Sequence, residues 1–424
     1  MELYDYYCKA YKIRTDSRHI EPASVFFALK GERFDGNDFA LEVAEQGVAS
    51  LVVADRQSLP DHPRILKVKD TLQALQELAR YHRLQMRNLK VVSITGTNGK
   101  TTTKELVSAV LSRKYNIIYT QGNYNNHIGV PLTLLRITPE TEFAVVEMGA
   151  NHPGEIKTLA NLACPDYGII TNIGKAHLEG FGSFEGVIKT KNELYDNLKA
   201  NGKTAFVNAD NPLLMQLAQG LSRHTYGTDD HANYVVKLDS CAPYLSVKRN
   251  ELKIQTHLVG TYNFENVAAA IAVGTYFDVQ ADDIKAALEE YEPTNSRSQV
   301  IEGKNRIIMD AYNANPTSMN ASVNNFRSIT GNNALLILGD MRELGDASEQ
   351  EHKTILKLLK DSGFKQAFLV GPCFSQYNDN PDYQTFAKVE DLVSYLEHHP
   401  VDGRTILVKG SRGIQLEKVL PLIQ

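Results

Sequence analysis

No run in this sequence approaches the roughly 18 consecutive apolar residues that cross a bilayer, so no membrane insertion is expected. Its start, MELYDYYCKAYKIRTD, lacks the basic-then-apolar order of a secretory signal. Cysteine is scarce: Cys8, Cys164, Cys241 and Cys373 lie far apart, with no CxxC pair. That spacing argues against a disulfide framework and against a cysteine-held zinc. Neither charge sign dominates, since 45 Lys+Arg face 50 Asp+Glu for a net charge of −5, which gives no basic footprint for nucleic acid. Internal repeats and low-complexity segments are missing too. What remains is a cytoplasmic protein, expected to be monomeric. Its 424 residues make about three domains at ~150 residues each.

The apolar share of 42% and charged share of 22% are those of globular chains. The first eighty-odd residues carry the short apolar runs VFFAL (25–29) and ASLVVA (49–54). They also carry DTLQALQELARYHRLQM, where Leu72, Leu75, Leu78, Ala79 and Met86 recur at helical spacing and form one core-facing stripe. From about residue 88 to 295, LKVVSI, FAVVEM, YGIITNI and KTAFVNA read as buried strands alternating with helices. That alternation belongs to a doubly wound, mostly parallel sheet. Residues 231–260 break it with period-two patterning and read as a small antiparallel insert.

After about residue 300, NALLILGD, KQAFLVG and RTILVKG restart the alternation in a smaller, dinucleotide-fold-like unit. There Ser348 and Glu351 are expected to form a capping box, and Gly363 to close the helix. The expected fold class is α/β in three domains, over 1–86, 87–298 and 299–424.

The sharpest local signal is VVSITGTNGKTTTKELVSAVL. A buried strand runs into a Gly-rich turn containing Thr97, Asn98 and Gly99, then Lys100, the hydroxyls of Thr101 and Thr102, and an apolar-periodic helix. Backbone N–H groups of such a P-loop cradle phosphates, its lysine reaches the terminal phosphates, and the next hydroxyl, Thr101, ligates Mg²⁺. The general pattern has Gly where this chain has Ile94. The site expected here is for ATP.

Around TGTNGKT the chain resembles the Mur ligases, ATP-dependent amide-forming enzymes of peptidoglycan precursor synthesis. The resemblance covers nearly the whole length. TDSR (15–18) and FFALKGERFDGNDF (26–39) are similar to the family's uridine-nucleotide domain. GNYNNHIGVPLTLL, EMGANHPGEI, TNIGKAHLEGFGS, KTKNELY and GTYNFENVAAA resemble its central ATPase domain. MDAYNANPTSM, LGDMRELG and LVKGSRG resemble the last domain of the member that joins D-alanyl-D-alanine to UDP-N-acetylmuramoyl-tripeptide (UDP-MurNAc-tripeptide). These two small molecules are therefore the implied substrates, with ATP and Mg²⁺ as cofactors.

Glu147 ends a strand, where a carboxylate can hold Mg²⁺ beside the P-loop. The resemblance implies His177 as a second magnesium ligand. Lys191, by type an ordinary solvated helix lysine, matches the family's carbamylated lysine, an anionic magnesium ligand formed with CO₂. Lys189 points to another helix face.

Asn263 and Asn266 open an apolar helix as capping types; the resemblance assigns them to adenine, with Tyr262 where the family commonly has His. Arg297 corresponds to an arginine reaching the ATP phosphates, and Asp310 to a ribose-binding carboxylate, in MDAYNAN where DDSYNAN is usual. Ser17, Arg18, Lys30 and the turn Asp35–Gly36 are the implied uridine contacts, and Asn125, Asn126 and His127 the diphosphate and sugar contacts. Lys409, Ser411 and Arg412 follow a strand's carboxyl end, where ligands collect in open α/β sheets; they are assigned to substrate carboxylates.

Rival readings differ in identifiable ways. The diaminopimelate- or lysine-adding ligase of the same architecture would carry a DNPR-like run, which is missing, while YNANP and GDMRELG are present. Folylpolyglutamate synthase lacks such an N-terminal domain. A regulatory module without catalysis would not need Lys100, Glu147, His177 and Lys191 together, and an ADP-release assay separates it from a ligase.

Overall fold

The structure, a computed structural model, describes residues 2–241, 243–293, 297–331 and 333–424. It is built on three α/β sheets. The first holds Ile13–Arg14, Val25–Phe27, Leu51–Ala54 and Ile65–Lys67 in that order, all parallel. Helix Thr71–Gln85 follows, capped by the Asp70 carboxylate, which accepts from the Gln73 backbone N–H. Leu75, Leu78 and Ala79 of its apolar stripe are buried, and Leu72 and Met86 pack at the margin.

The central sheet has seven parallel strands in the order Tyr234–Val235, Ser222–Gly227, Thr204–Asn208, Tyr167–Ile170, Lys90–Thr95, Phe143–Glu147 and Ile117–Tyr119. From Lys90–Thr95 the chain runs to the edge strand Ile117–Tyr119 and returns to Phe143–Glu147. It then crosses over to Tyr167–Ile170. This reversal is a topological switch point, and it places the carboxyl ends of three successive neighbours around one crevice. The expected antiparallel insert is present as Lys237–Cys241, Leu245–Arg249 and Leu252–Gln255. Its stretch begins differently, since Tyr234–Val235 joins the parallel sheet.

The last sheet runs Gln299–Glu302, Arg306–Asp310, Thr405–Lys409, Ala334–Gly339, Ala367–Val370 and Tyr383–Phe386. Only its first pair is antiparallel. The expected capping box at Ser348 is not formed. A 3₁₀ turn, Gly345–Ala347, feeds the helix directly, so Ser348 is already helical and its neighbour Ala347 caps without a side-chain bond. Gly363 does take the left-handed conformation just past that helix, at φ +73°.

The apolar core of the first sheet is continuous with one face of the central sheet. Helices Glu2–Tyr7 and Thr71–Gln85 fasten the two together. His82 Nε2 lies 2.9 Å from the Ile137 carbonyl, Tyr7 donates to the Leu135 carbonyl at 3.0 Å, and Arg83 pairs with Asp166 at 2.6 Å. The two faces of the last sheet form separate clusters, with Val259 packing into one of them. Among the described residues no helix is long and apolar enough to cross a membrane.

Candidate active site

Strand Lys90–Thr95 ends in a loop whose shape only glycine permits. Gly96 sits at φ +140°, with a hypothetical Cβ 2.0 Å from Thr171 Oγ1; Gly99 sits at φ +77°, with a hypothetical Cβ 2.5 Å from Asn266 Oδ1. The loop rests on the next strand's exit. Thr97 N–H donates to the Asn172 carbonyl at 2.9 Å, Asn98 N–H to Asn172 Oδ1 at 3.0 Å, and Thr171 Oγ1 to the Asn98 carbonyl at 2.6 Å. Lys100 starts the following helix and folds back, donating to the carbonyls of Gly96 at 3.0 Å and Thr97 at 2.9 Å. Burial pushes its pKa down, partly offset by the Glu147 carboxylate.

Glu147 closes the adjacent strand and is 2% exposed. Its carboxylate accepts from Thr101 Oγ1 and from Asn125 Nδ2, each at 2.9 Å, while its own N–H donates to Thr120 Oγ1 at 3.0 Å. Lys104, one helical turn beyond Lys100 and wholly buried, donates to the Thr120 carbonyl at 2.7 Å. Lys100, Thr101, Asn125 and Glu147 line a cleft of about 1000 Å³ shared with His177, Asn126, Asn263, Asn266, Arg297 and Asp310.

Lys191 lies just behind that wall, 2% exposed, and is no solvated lysine. Its Nζ is 3.5 Å from the Ala150 carbonyl and 5.3 Å from the centre of the Phe181 ring. Burial first, and Lys100 second, bring its pKa down to about 7. Two residues along the helix, the Glu193 carboxylate holds the N–H groups of Gly154 and Lys157, each at 2.8 Å, and so fixes the loop after Glu147.

His177 takes a left-handed backbone at φ 51° and meets Glu343 of the last domain, also left-handed at φ 63°. Nδ1 is 2.5 Å from the carboxylate, and this contact with His177 holds the pKa of Glu343 below its ordinary value. Beside the loop presenting Glu343 lies a cluster of the buried Asp340 and His352 with the half-buried Cys373. This is the one His/Cys/carboxylate group of metal-ligating dimensions among the described residues, yet its ligand atoms are engaged. Both Asp340 oxygens accept backbone N–H bonds at 2.9 Å, and His352 Nε2 accepts from Met341 N–H at 3.1 Å.

Asn263 is the formal cap of helix Phe264–Tyr276, but its side chain does not cap. It turns back to the Val259 carbonyl at 2.8 Å and accepts from Asn266 Nδ2 at 2.9 Å. Asn266 Oδ1 in turn accepts from Thr103 Oγ1 at 2.9 Å, tying this helix to the P-loop helix. Asp310 pairs with Lys409 at 2.6 Å and accepts from Ser322 Oγ at 3.0 Å. Lys409 is thus committed to the Asp310 side of the cleft. Ser411 is also engaged, accepting from Arg342 N–H at 2.9 Å. Arg412 is exposed beside Tyr312, whose ring carries the guanidinium of Arg297 at 3.7 Å and that of Arg412 at 5.1 Å.

The uridine candidates gather elsewhere. Ser17, Arg18 and Lys30 follow the carboxyl ends of neighbouring parallel strands of the first sheet. Arg18 pairs with Asp16 at 2.7 Å. Lys30 and Asp35 face each other as an isolated bridge, and Asp35 accepts from Asn37 N–H at 2.9 Å and Arg56 at 3.1 Å. Asn37, 2% exposed, joins Asp35 to Asp55 and was not singled out from sequence; its run GNDF carried the only signal. Asn172, Tyr312 and Asn315 escaped in the same way, each inside a quoted motif.

Sheet order and loop define a P-loop enzyme whose switch-point cleft is walled by a second α/β domain. Residues 9–83 match the Mur ligase family catalytic domain, 94–274 the Mur ligase middle domain, and 296–412 the Mur ligase glutamate ligase domain. The chain belongs to the Mur ligase family, the ATP-dependent peptide ligases. It is 38% identical to the UDP-N-acetylmuramoyl-tripeptide–D-alanyl-D-alanine ligase of Bacillus subtilis, over 96% of this chain and 92% of the relative. Among solved structures it is similar to MurF from Acinetobacter baumannii, with a TM-score of 0.86, 31% identity, and 97% and 92% of the two chains covered. MurF from Thermotoga maritima in complex with ADP follows, with a TM-score of 0.85, 26% identity, and 97% and 96% covered.

Proposed function

We propose that this chain ligates D-alanyl-D-alanine to UDP-MurNAc-tripeptide, as a cytoplasmic monomer acting on small molecules. Residues 1–86 would bind the uridine nucleotide, 87–298 ATP, and 299–424 the amine. The observation that carries the ligase reading is the meeting of Thr101, Glu147 and Asn125 beside Lys100 at the switch point of the sheet. The choice of substrates rests on the named relatives over nearly the full length.

A carboxylate is a poor acyl donor, so the tripeptide carboxylate takes the γ-phosphoryl group of ATP, giving an acyl phosphate and ADP. The dipeptide amine attacks that carbonyl, and the tetrahedral intermediate expels phosphate to leave the amide. Phosphoryl transfer needs alignment and charge neutralisation more than covalent help. Lys100 and the P-loop N–H groups supply these at the phosphates, Arg297 adds charge from the domain boundary, and Asn263, Asn266 and Asp310 hold the nucleoside. Asn125 and Asn126 hold the substrate's diphosphate and sugar, and the exposed Arg412, beside Tyr312, is the candidate for a substrate carboxylate.

Mg²⁺ fits the donors present. Thr101 and Glu147 already bring oxygens together, His177 lines the same cleft, and Lys191, carbamylated, would add anionic oxygens, the ligand type this cation prefers. It would neutralise phosphate charge. Carbamylation needs a neutral amine, which the buried setting of Lys191 favours. A closed cleft keeps water from the acyl phosphate.

The test is ADP release with defined UDP-MurNAc peptides and single amines. Release should require both the tripeptide nucleotide and D-Ala-D-Ala. Equal turnover with the UDP-dipeptide and free diaminopimelate would move the assignment to the diamino-acid ligase.

A further inference from the structure

Asn98 belongs to the P-loop and Asn315 to the last domain, 217 residues on, yet their carboxamides face each other. Asn315 Nδ2 donates to Asn98 Oδ1 at 2.7 Å, and Asn98 Nδ2 donates to Asn315 Oδ1 at 3.5 Å. Both are held from behind. The Asn98 backbone is pinned through Thr171 and Asn172. Asn315 caps helix Pro316–Ile329 in a reciprocal box, its Oδ1 accepting from Ser318 N–H at 2.9 Å and its own N–H donating to Ser318 Oγ at 3.1 Å. An amide fixed in this way cannot turn without breaking its cap or releasing its partner.

The same seam continues beside the pair. Thr317 Oγ1 accepts from Lys175 N–H at 3.2 Å, and Lys175 Nζ meets Glu351 at 2.8 Å. The helix that carries part of the far wall of the cleft is therefore registered against the phosphate loop by its first residues.

We propose that Asn315 is a positioning residue: through Asn98 it sets the last domain in register with the P-loop, so nucleotide affinity and amine binding depend on a residue outside the P-loop itself. The proposal rests on reading the chain as a P-loop ligase. A matched pair of neutral amides suits the role because its bonds are directional, and breaking it leaves two half-buried polar groups unsatisfied.

The test is a double-mutant cycle with Asn98→Ala, Asn315→Ser and the double variant. Serine keeps an oxygen for the Ser318 N–H, so the helix stays capped, but it is too short to reach Asn98. If Asn315→Ser melts early, Asn315→Thr serves in its place.

Each single variant should weaken ADP binding by calorimetry about 10-fold and raise the KM for the amine about as much, at unchanged UDP-substrate affinity and with the protein still folded at the assay temperature. The double variant should be no worse than the poorer single, as expected for partners in one contact. Losses that multiply to about 100-fold, or an Asn315→Ser protein with wild-type ADP affinity, would overturn it. The ADP cycle uses no amine. If the wild-type enzyme is inactive on the proposed substrates, that reading fails while the cycle still decides the pair.

Discussion

Thr101 Oγ1 donates to Glu147 Oε2 at 2.9 Å, joining the first hydroxyl after the P-loop lysine to the carboxylate that ends the next strand. Parallel register brings this about. Ile94 pairs with Glu147, so the two strands finish level and their exits share one crevice. The chemistry of the site follows from that alignment.

Lys100→Ala removes the cation at the phosphates and should lower turnover by about two or more orders of magnitude. Binding of the uridine nucleotide, placed on the first sheet, should survive. Calorimetry on the variant checks the separation of sites, and a loss of UDP-substrate affinity would contradict it.

Lys191 should carry a carbamate in the active enzyme. Only its neutral amine reacts with CO₂, and the neutral fraction falls as pH drops through about 7. Activity in CO₂-depleted buffer should therefore fall between pH 8 and pH 6 and recover on adding bicarbonate. Lys191→Ala should be nearly inactive and partly restored by formate, whereas Lys189→Ala should keep most activity. Normal turnover of Lys191→Ala without added carboxylate would sink the proposal.

Glu265 lines the cleft with its pKa raised to about 7, by burial first and by Asp210 second. A folded-state pKa above the unfolded value means that ionisation opposes folding, so this residue costs stability increasingly from pH ~4.5 to ~7. Glu265→Gln should match wild type near pH 4 and melt higher at pH 8. Thermal melts at the two pH values settle it, and an equal offset at both would refute the assignment.

Gly96→Ala and Gly99→Ala should each damage the loop, since both glycines have positive φ and a Cβ would collide at 2.0 Å and 2.5 Å respectively. Such strain costs about 1–3 kcal/mol, and ADP affinity should drop accordingly. Gly202→Ala, also at positive φ but with open space around it, is the comparison that isolates the collision. It should lose stability with no change in ADP affinity.

Local signals were legible where chemistry and geometry share a short segment. The strand, glycine turn and helix around Lys100 needed no distant information, and neither did the αL glycine at 363. Tertiary packing decided the rest. Lys191 reads as a surface residue by type, and only Phe181 and the Ala150 loop folding over it make it buried. Ser348 looks like a cap until the 3₁₀ turn before it moves the helix start by one residue. Lys409 reads by position as a contact for a substrate carboxylate, and only the fold reveals that Asp310, on the adjacent strand in direct register, pairs with it.

The unequal joints between the three sheets bear on how this chain can be recombined. The first sheet shares an apolar core with the central one and is bolted to it through His82, Tyr7 and Arg83. Severing it would expose the hydrophobic flanks of both pieces. The last sheet has clusters of its own, joined from the central part by Val259 and Tyr244, and it also meets the rest through side-chain amides and ion pairs. A graft that exchanges the last sheet and its helices with those of another ligase therefore has a natural seam near residue 299. It needs few hydrophobic replacements there, but it must carry Asn315, Thr317, Glu343 and Glu351 across with the transplant.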